Sequence, residues 1–249
     1  MAGSTQHTYV DMSGQTKVLK VFIVIRMLVT LCLSAASIYF LILLEVNGVF
    51  DDKVKMIQSL ILILMLPTGL ISLTAFILFL VWVNRACKNA HALSVHHEMP
   101  YTSGWSVGWF LIPIANLFMP ARVISAIWNH SNPDTNLEGE KTQNSVVGMW
   151  WKLWVINKIV DQISSNDFFE LSTQRTLGMA ALVLDVMMTI YWMKVINTIQ
   201  AYQEEKHEKL DSLVVRCAGC GETITDASSG ECPMCGEPVG GEYEAEPAF

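Results

Sequence analysis

The sequence predicts an all-α integral membrane protein, a helical bundle followed by a small C-terminal zinc ribbon. Hydrophobic residues make up 52% of the 249 residues and charged residues only 16%, whereas soluble domains contain about 25% charged residues. The apolar residues form blocks long enough to cross a bilayer, and four of the six cysteines form two closely spaced pairs near the C-terminus. These features exclude an ordinary soluble enzyme, a disordered chain and a basic nucleic-acid-binding protein.

Charge divides the chain into a near-neutral body and an acidic end. Residues 1–203 contain 13 basic and 12 acidic side chains, whereas residues 204–249 contain 3 basic and 11 acidic ones. We therefore predict a membrane domain and three short C-terminal segments. Their predicted bounds are 1–203 for the membrane domain, 204–214 for a charged helical stalk, 215–240 for the zinc ribbon and 241–249 for an acidic disordered tail.

Three segments meet the length requirement for a transmembrane helix, which is about 20 apolar residues. Residues 21–44 are apolar except for Arg26, and residues 60–83 contain no charge. Residues 177–195 form the third segment, with Asp185 near its centre.

Segment 105–128 is a less regular candidate span. It is apolar, but Pro113, Pro120 and Arg122 interrupt it. Proline inside a membrane helix is tolerated where neighbouring helices satisfy the freed carbonyls. We predict a fourth span here, and a re-entrant segment is the alternative.

Segment 146–163 is amphipathic and contains Lys152, Lys158 and Asp161. Each charge costs about 2.5–3.5 kcal/mol at the membrane centre. The segment therefore favours an interfacial helix, or a helix whose polar face points into the bundle. We predict four spans plus this interfacial helix, with five spans as the alternative.

Six of the eight tryptophans lie in this middle region. Indole rings favour the headgroup level of a bilayer, so an aromatic belt is the favoured interpretation. Stacking against a ligand is the alternative. The six residues are Trp105, Trp109, Trp128, Trp150, Trp151 and Trp154.

Two CxxC pairs, separated by 11 residues, carry the most specific chemical signal. They are Cys217 with Cys220 and Cys232 with Cys235. Four thiolates in two such turns suit tetrahedral Zn²⁺, and four protein ligands leave no position for a catalytic water. We predict a structural zinc site, with iron or two disulfides as less favoured alternatives. An even number of spans then places both termini in the reducing cytoplasm, in agreement with the lysines and arginines that flank the first two spans.

Four polar side chains inside apolar segments are candidate functional residues: Arg26, Asn116, Arg122 and Asp185. Ionisable groups within membrane helices often mark ion or substrate pathways. Helices broken by proline also line sites in transporters. The structural alternatives are a kinked packing helix at 105–128 and a salt bridge between Asp185 and either arginine.

Residues of the middle region carry a resemblance to a known family. The most specific part is the run Pro-Ile-Ala-Asn at 113–116, which few membrane helices contain. The other matching positions include Arg85, Asn89, Trp105, Gly108, Trp109, Pro120, Trp128, Trp151 and Trp154. Over roughly residues 20–205 the chain resembles the bacterial multi-pass membrane proteins of domain-of-unknown-function family 4328. The resemblance implies a membrane domain in the bacterial inner membrane, without a known substrate or catalytic residue.

We therefore predict a non-enzymatic scaffold or adaptor that presents a cytosolic zinc ribbon to a protein partner. The other expected partner is the lipid bilayer; no nucleic acid is expected, and the bundle could form a homo-oligomer. The alternative is a small transporter or channel component with a polar path through the bundle. No nucleophile elbow, phosphate-binding loop or dinucleotide fingerprint occurs in the sequence.

Overall fold

A computed structural model describes most of the chain as helices. The described residues are 8–47, 52–95, 97–134, 145–164 and 170–212, with 215–217, 219–220, 223–224, 231–232, 234–236 and 238 in the C-terminal module. The helices are α1 (Ser13–Asn47), α2 (Asp52–Leu93), α3 (Ser103–Gly108), a 3₁₀ turn (Ala115–Leu117), α4 (Met119–Ser131), α5 (Ser145–Ser164) and α6 (Leu171–Ser212). Two short antiparallel strands, β1 (Val215–Arg216) and β2 (Thr223–Ile224), follow.

Three of these helices, α1, α2 and α6, are long and apolar enough to cross a membrane. They contain 35, 42 and 42 residues, and at 1.5 Å per residue each exceeds the roughly 30 Å of bilayer hydrocarbon. Their outward surfaces carry large apolar side chains, such as Ile63 and Leu66, which are 70% and 74% exposed. Such a surface is stable against lipid and not against water, so the sequence prediction of an integral membrane helical bundle is confirmed.

Helices α1 and α6 are antiparallel, and their contacts define the two ends of the bundle. At the proximal end, Lys20 Nζ donates to Asn197 Oδ1 over 3.0 Å, and the rings of Tyr9 and His207 stack with centroids 4.0 Å apart. At the distal end, Arg175 forms an ion pair of 2.7 Å with Glu45. The chain therefore enters and leaves the bundle at the same, proximal end.

Helix α5 packs antiparallel to α6, to which it is joined by the short segment 165–170. Its 20 residues span about 30 Å. Asn157 points inward and is 9% exposed, whereas Ile156 and Ile159 point outward and are 46% and 54% exposed. Lys152, Lys158 and Asp161 are exposed, so the charges of this amphipathic helix point away from the bundle, as expected for the predicted interfacial helix.

Segment 105–128 is divided among α3, the 3₁₀ turn and α4, and so differs from the predicted fourth span. Helix α4 has 13 residues, about 20 Å, and Pro120 occupies its first turn, where a missing N–H costs nothing. Its last turn lies at the proximal end, because Lys206 of α6 donates to the carbonyl of His130 over 2.9 Å. The segment thus starts and finishes at the same end, as in the re-entrant alternative.

Among the described residues, the helices that are long and apolar enough to cross a membrane are α1, α2 and α6. A fourth span and the interfacial position of α5 stay predictions.

Aromatic side chains form the centre of the bundle. Phe79 of α2 contacts the rings of Trp82, Phe110, Trp150 and Trp192 at centroid distances between 5.1 and 6.1 Å. The predicted aromatic belt is wrong for three of the six middle-region tryptophans. Trp128, Trp150 and Trp151 are at most 7% exposed and lie within the core.

Candidate functional sites

A buried ion pair joins α1 to α6 inside the bundle. Arg26 Nη1 and Nη2 each lie 3.2 Å from Asp185 Oδ1, and Nη2 also donates to Thr189 Oγ1 over 3.0 Å. The side chains of Arg26 and Asp185 are 14% and 8% exposed. The guanidinium carbon lies 5.9 Å from the centre of the Trp192 ring, a cation–π distance. Of the two arginines considered as partners for Asp185, the structure thus brings Arg26 to it.

This ion pair forms part of the wall of a cavity of about 270 Å³. The remaining wall comes mainly from aromatic residues of α2, α5 and α6, and the 3₁₀ turn contributes Asn116. The structure therefore brings together three of the four predicted intramembrane polar residues, Arg26, Asn116 and Asp185.

The fourth predicted polar residue lies elsewhere. Arg122 is exposed on α4, with its guanidinium carbon 5.7 Å from the Phe118 ring centre. Pro113 is exposed and Pro120 is buried; neither lines the cavity. Both prolines instead fall where the chain leaves regular helix, around the 3₁₀ turn that holds Asn116.

A second polar cluster, the proximal network, joins α2, α4 and α6. Asn89 Nδ2 donates to Gln203 Oε1 over 3.2 Å, and Gln203 Nε2 donates to the Ala86 carbonyl and to Ser131 Oγ, both over 2.9 Å. Asn89 Oδ1 also accepts from the Val10 amide over 3.1 Å. Asn89 and Gln203 are at most 1% exposed. Asn89, one of the family-matching positions, is a core residue that fixes the chain entering α1.

Other motif positions have structural explanations. A Cβ at Gly108 would lie 3.2 Å from the Trp105 ring, so glycine permits that ring to pack over the end of α3, with the Trp109 ring 5.0 Å away. Trp151 Nε1 donates to the Leu117 carbonyl over 2.9 Å and fixes the 3₁₀ turn against α5. Trp154 stacks on Trp151, and Trp128 packs edge-on against Tyr202. Arg85 is partly buried.

The four cysteines of the two CxxC pairs converge in the C-terminal module. Their sulfur atoms all lie within 4.8 Å of one another, with Cys217 Sγ 3.4 Å from Cys235 Sγ and Cys220 Sγ 3.7 Å from Cys232 Sγ. Tetrahedral coordination with metal–sulfur bonds of about 2.3 Å requires sulfur–sulfur separations of about 3.8 Å. The spacing fits a metal ion and is too long for disulfide bonds, which are about 2.05 Å.

The backbone around these cysteines favours thiolates. The amides of Cys220 and Gly219 donate toward Cys217 and lower the pKa of its thiol to about 7. Gly236, directly after the second pair, has φ = +74°, a conformation that glycine adopts without strain. Its amide donates to the Cys232 carbonyl over 2.8 Å, which closes the turn. The four cysteines could therefore bind a metal ion.

The other two cysteines are separate from this cluster. Cys32 is exposed on α1, within the apolar stretch that faces outward. Cys87 is buried, and its thiol lies 3.4 Å from the Tyr101 carbonyl.

The fold and these sites define a class, a multi-pass helical membrane protein that carries a C-terminal four-cysteine cluster. The model of the domain of unknown function DUF4328 matches residues 48–201, and the chain belongs to that family. The match begins after α1, later than the resemblance suggested, so Asp185 lies within it and Arg26 before it. No curated protein and no solved structure matches the chain.

The structure places three further residues beside the Arg26–Asp185 ion pair that the sequence did not single out. Asn157, Thr189 and Trp192 contribute to the Arg26–Asp185 region. Asn157 lies between Lys158 and the apolar positions of α5 in the sequence, and nothing in the sequence separates it from the charged side chains that stay exposed.

Proposed function

We propose that this protein is a non-enzymatic membrane adaptor whose bundle anchors a zinc-bound, cytosolic four-cysteine module that docks a protein partner. The convergence of the four sulfur atoms within 4.8 Å supports this function most strongly. Four sulfur ligands complete a tetrahedral zinc site, so the metal stabilises a binding surface and has no open position for catalysis. Zinc is favoured over iron because four thiolates from two CxxC turns are typical of structural zinc sites.

The orientation of the adaptor follows from charge. Lys17 and Lys20 precede the apolar part of α1, and Arg85 and Lys88 lie in the last turns of α2, all near the proximal end. Basic residues favour the cytoplasmic side of a bacterial inner membrane. Both termini are then cytoplasmic, where thiols stay reduced. The excess of acidic residues after position 203 favours a basic protein partner over a nucleic acid.

Affinity purification from native membranes tests the adaptor function. The wild-type chain is compared with a Cys217→Ser/Cys232→Ser variant, which removes one ligand from each pair, and with Cys32→Ser as the matched control. A stoichiometric partner should co-purify with wild type and control and be lost with the double variant. Co-purification of tagged with untagged copies in the same experiment reports a homo-oligomer. A partner retained by the double variant would contradict docking through the module.

A second candidate function is transport of a small molecule, supported by the cavity beside the Arg26–Asp185 ion pair. Uptake or efflux of candidate solutes should depend on Asp185 and not on the cysteines. Vesicles containing wild type, Asp185→Asn and the double cysteine variant separate the two functions. Loss of transport only in Asp185→Asn, at equal membrane levels, would favour this candidate.

A further inference from the structure

The chain between α3 and α4 forms an apolar tip on the outside of the bundle, which we call the tip surface. Its large side chains are between 39% and 76% exposed. Its members are Leu111, Ile112, Pro113, Ile114, Leu117 and Phe118. None of these six residues lines the cavity beside Arg26 and Asp185. The tip surface therefore faces away from the interior of the bundle.

Contacts with the long helices place the tip surface within the apolar layer. The Phe110 ring, directly before it, lies 5.6 Å from the Phe79 ring, and Phe79 is four residues inside the end of the apolar segment of α2. Asn116 lines the cavity together with Asp185, which is ten residues inside the end of the apolar segment of α6. At 1.5 Å per residue, Phe79 and Asp185 lie about 6 Å and about 15 Å inside the layer. The tip surface therefore meets lipid chains or another protein, and not bulk water.

Two peptide groups of the tip surface have no hydrogen bond. The amides of Leu111 and Asn116 are bonded, over 3.0 and 2.8 Å, to carbonyls of the preceding turn. The peptide groups 111–112 and 113–114 neither donate nor accept a hydrogen bond among the described residues. Lipid chains offer no hydrogen bond, and irregular backbone at membrane depth occurs only where protein or water covers it. Because the tip surface lies outside the cavity, this backbone requires a protein cover.

The free peptide groups also indicate which protein fits. Each group contains one N–H donor and one carbonyl acceptor, so the same short run offers both halves of a backbone hydrogen bond. In a symmetric dimer, one surface patch meets its own copy across a two-fold axis. A second copy of the chain therefore supplies an acceptor for each free donor and a donor for each free acceptor, together with apolar side chains for packing.

The size of the tip surface fits such an interface. Its five large residues leave about 550 Å² exposed, if a fully exposed large residue offers roughly 200 Å². A standard protein interface buries about 800 Å² on each partner. The remaining area is available on α3, where Trp105 is 54% exposed, and on α4.

We infer that two copies of this chain form a symmetric dimer in the membrane through the tip surface. The peptide groups 111–112 and 113–114 of one copy pair with those of the other, and the apolar side chains around them pack at the contact. The inference is independent of the adaptor function, so a failure of the cysteine module to dock a partner would leave it standing.

Cross-linking in native membranes tests the contact directly. Ile114→Cys, in the full chain with all six native cysteines replaced by serine, places one thiol in the tip surface. Leu66→Cys in the same background is the matched control, since Leu66 on α2 is 74% exposed and Ile114 is 76% exposed. A short bismaleimide should give a dimer from Ile114→Cys and at least about tenfold less from Leu66→Cys, because a two-fold interface brings the same patch of both copies together.

Dilution of the purified full chain in lipid vesicles measures the strength of the contact. Energy transfer between labelled copies should fall as the lipid-to-protein ratio rises, which gives a dissociation constant. Ile114→Ala/Leu117→Ala should raise this constant at least about tenfold, because large side chains at the centre of an interface carry most of its binding energy. Leu62→Ala/Leu66→Ala removes two side chains that are 60% and 74% exposed, against 57% and 76% at Leu117 and Ile114, and should leave the constant unchanged. Neither variant should lower the unfolding temperature of the monomer, since all four side chains are exposed in it.

Three results would overturn the inference. A chain that stays monomeric at every lipid-to-protein ratio would mean that something other than a second copy covers the tip surface. A dimer that tolerates Ile114→Ala/Leu117→Ala, or equal cross-linking of Ile114→Cys and Leu66→Cys, would place the contact on another face. A cross-link from Ile114→Cys to a different membrane protein, without a dimer, would assign the tip surface to that protein.

Discussion

Arg26 and Asp185 form a buried ion pair of 3.2 Å that links the first and last helices of the bundle. Removing one member leaves the other charge buried without compensation, which costs about 3–5 kcal/mol. We therefore predict that Arg26→Leu and Asp185→Leu each lower the free energy of unfolding by about that amount. Reversible unfolding of the purified protein in mixed detergent micelles measures this change.

The double variant Arg26→Leu/Asp185→Leu provides the internal comparison. It leaves no unpaired charge, so it should be more stable than either single variant by about 2 kcal/mol or more. The exposed pair Glu205–Lys209, 2.9 Å apart with side chains 52% and 58% exposed, serves as the control and should contribute less than about 1 kcal/mol. Additive losses in the double variant would show that the two charges are not coupled.

The sequence was sufficient to select this pair as candidate residues, because ionisable side chains are rare within apolar segments. The sequence was also sufficient to select the four cysteines as candidate metal ligands, because two CxxC pairs at such a spacing are typical of metal sites. It left open whether Arg26 or Arg122 is the partner of Asp185, since that choice depends on how α1 and α4 pack. Composition along one helix contains no information about such long-range contacts.

The path of residues 105–163 was harder to predict, because it also depends on how the helices pack against one another. Hydropathy scores each segment as an isolated helix in lipid, which favoured 105–128 over 146–163. In the structure Asn157 of α5 turns inward while Lys158 and Asp161 stay exposed, and α5 packs along α6. Pro113 and Pro120, read as kinks in one helix, flank the 3₁₀ turn between two short helices.

The proximal network should contribute strongly to stability. Gln203 donates to Ala86 and Ser131 and accepts from Asn89, so Gln203→Leu leaves several buried groups without partners. We predict a loss of about 1–3 kcal/mol for each group that is not satisfied by rearrangement. Gln58→Leu on the exposed surface of α2 is the matched control and should change the unfolding free energy little. Equal effects of the two substitutions would contradict a structural role for the network.

The cysteine cluster should hold one metal ion per chain. Elemental analysis of the purified full chain should find one equivalent of zinc, and Cys235→Ser should reduce it markedly, because three thiolates bind more weakly than four. Cys87→Ser should retain the full equivalent, since the Cys87 thiol lies at the Tyr101 carbonyl and outside the cluster. Iron in place of zinc would support electron transfer. Absence of any metal from both proteins would contradict the metal site.

The return of segment 105–128 to the proximal end can be tested by labelling from either side of the membrane. Asp134 is exposed just after α4, whose last turn contacts Lys206 at that end. A spanning segment would instead place Asp134 at the distal end. We predict that Asp134→Cys, in a background with all six native cysteines replaced by serine, reacts with a membrane-impermeant maleimide from the same side as Gln15→Cys. Lys55→Cys, near the start of α2, should react only from the opposite side. Labelling of Asp134→Cys together with Lys55→Cys would restore the spanning assignment for residues 105–128.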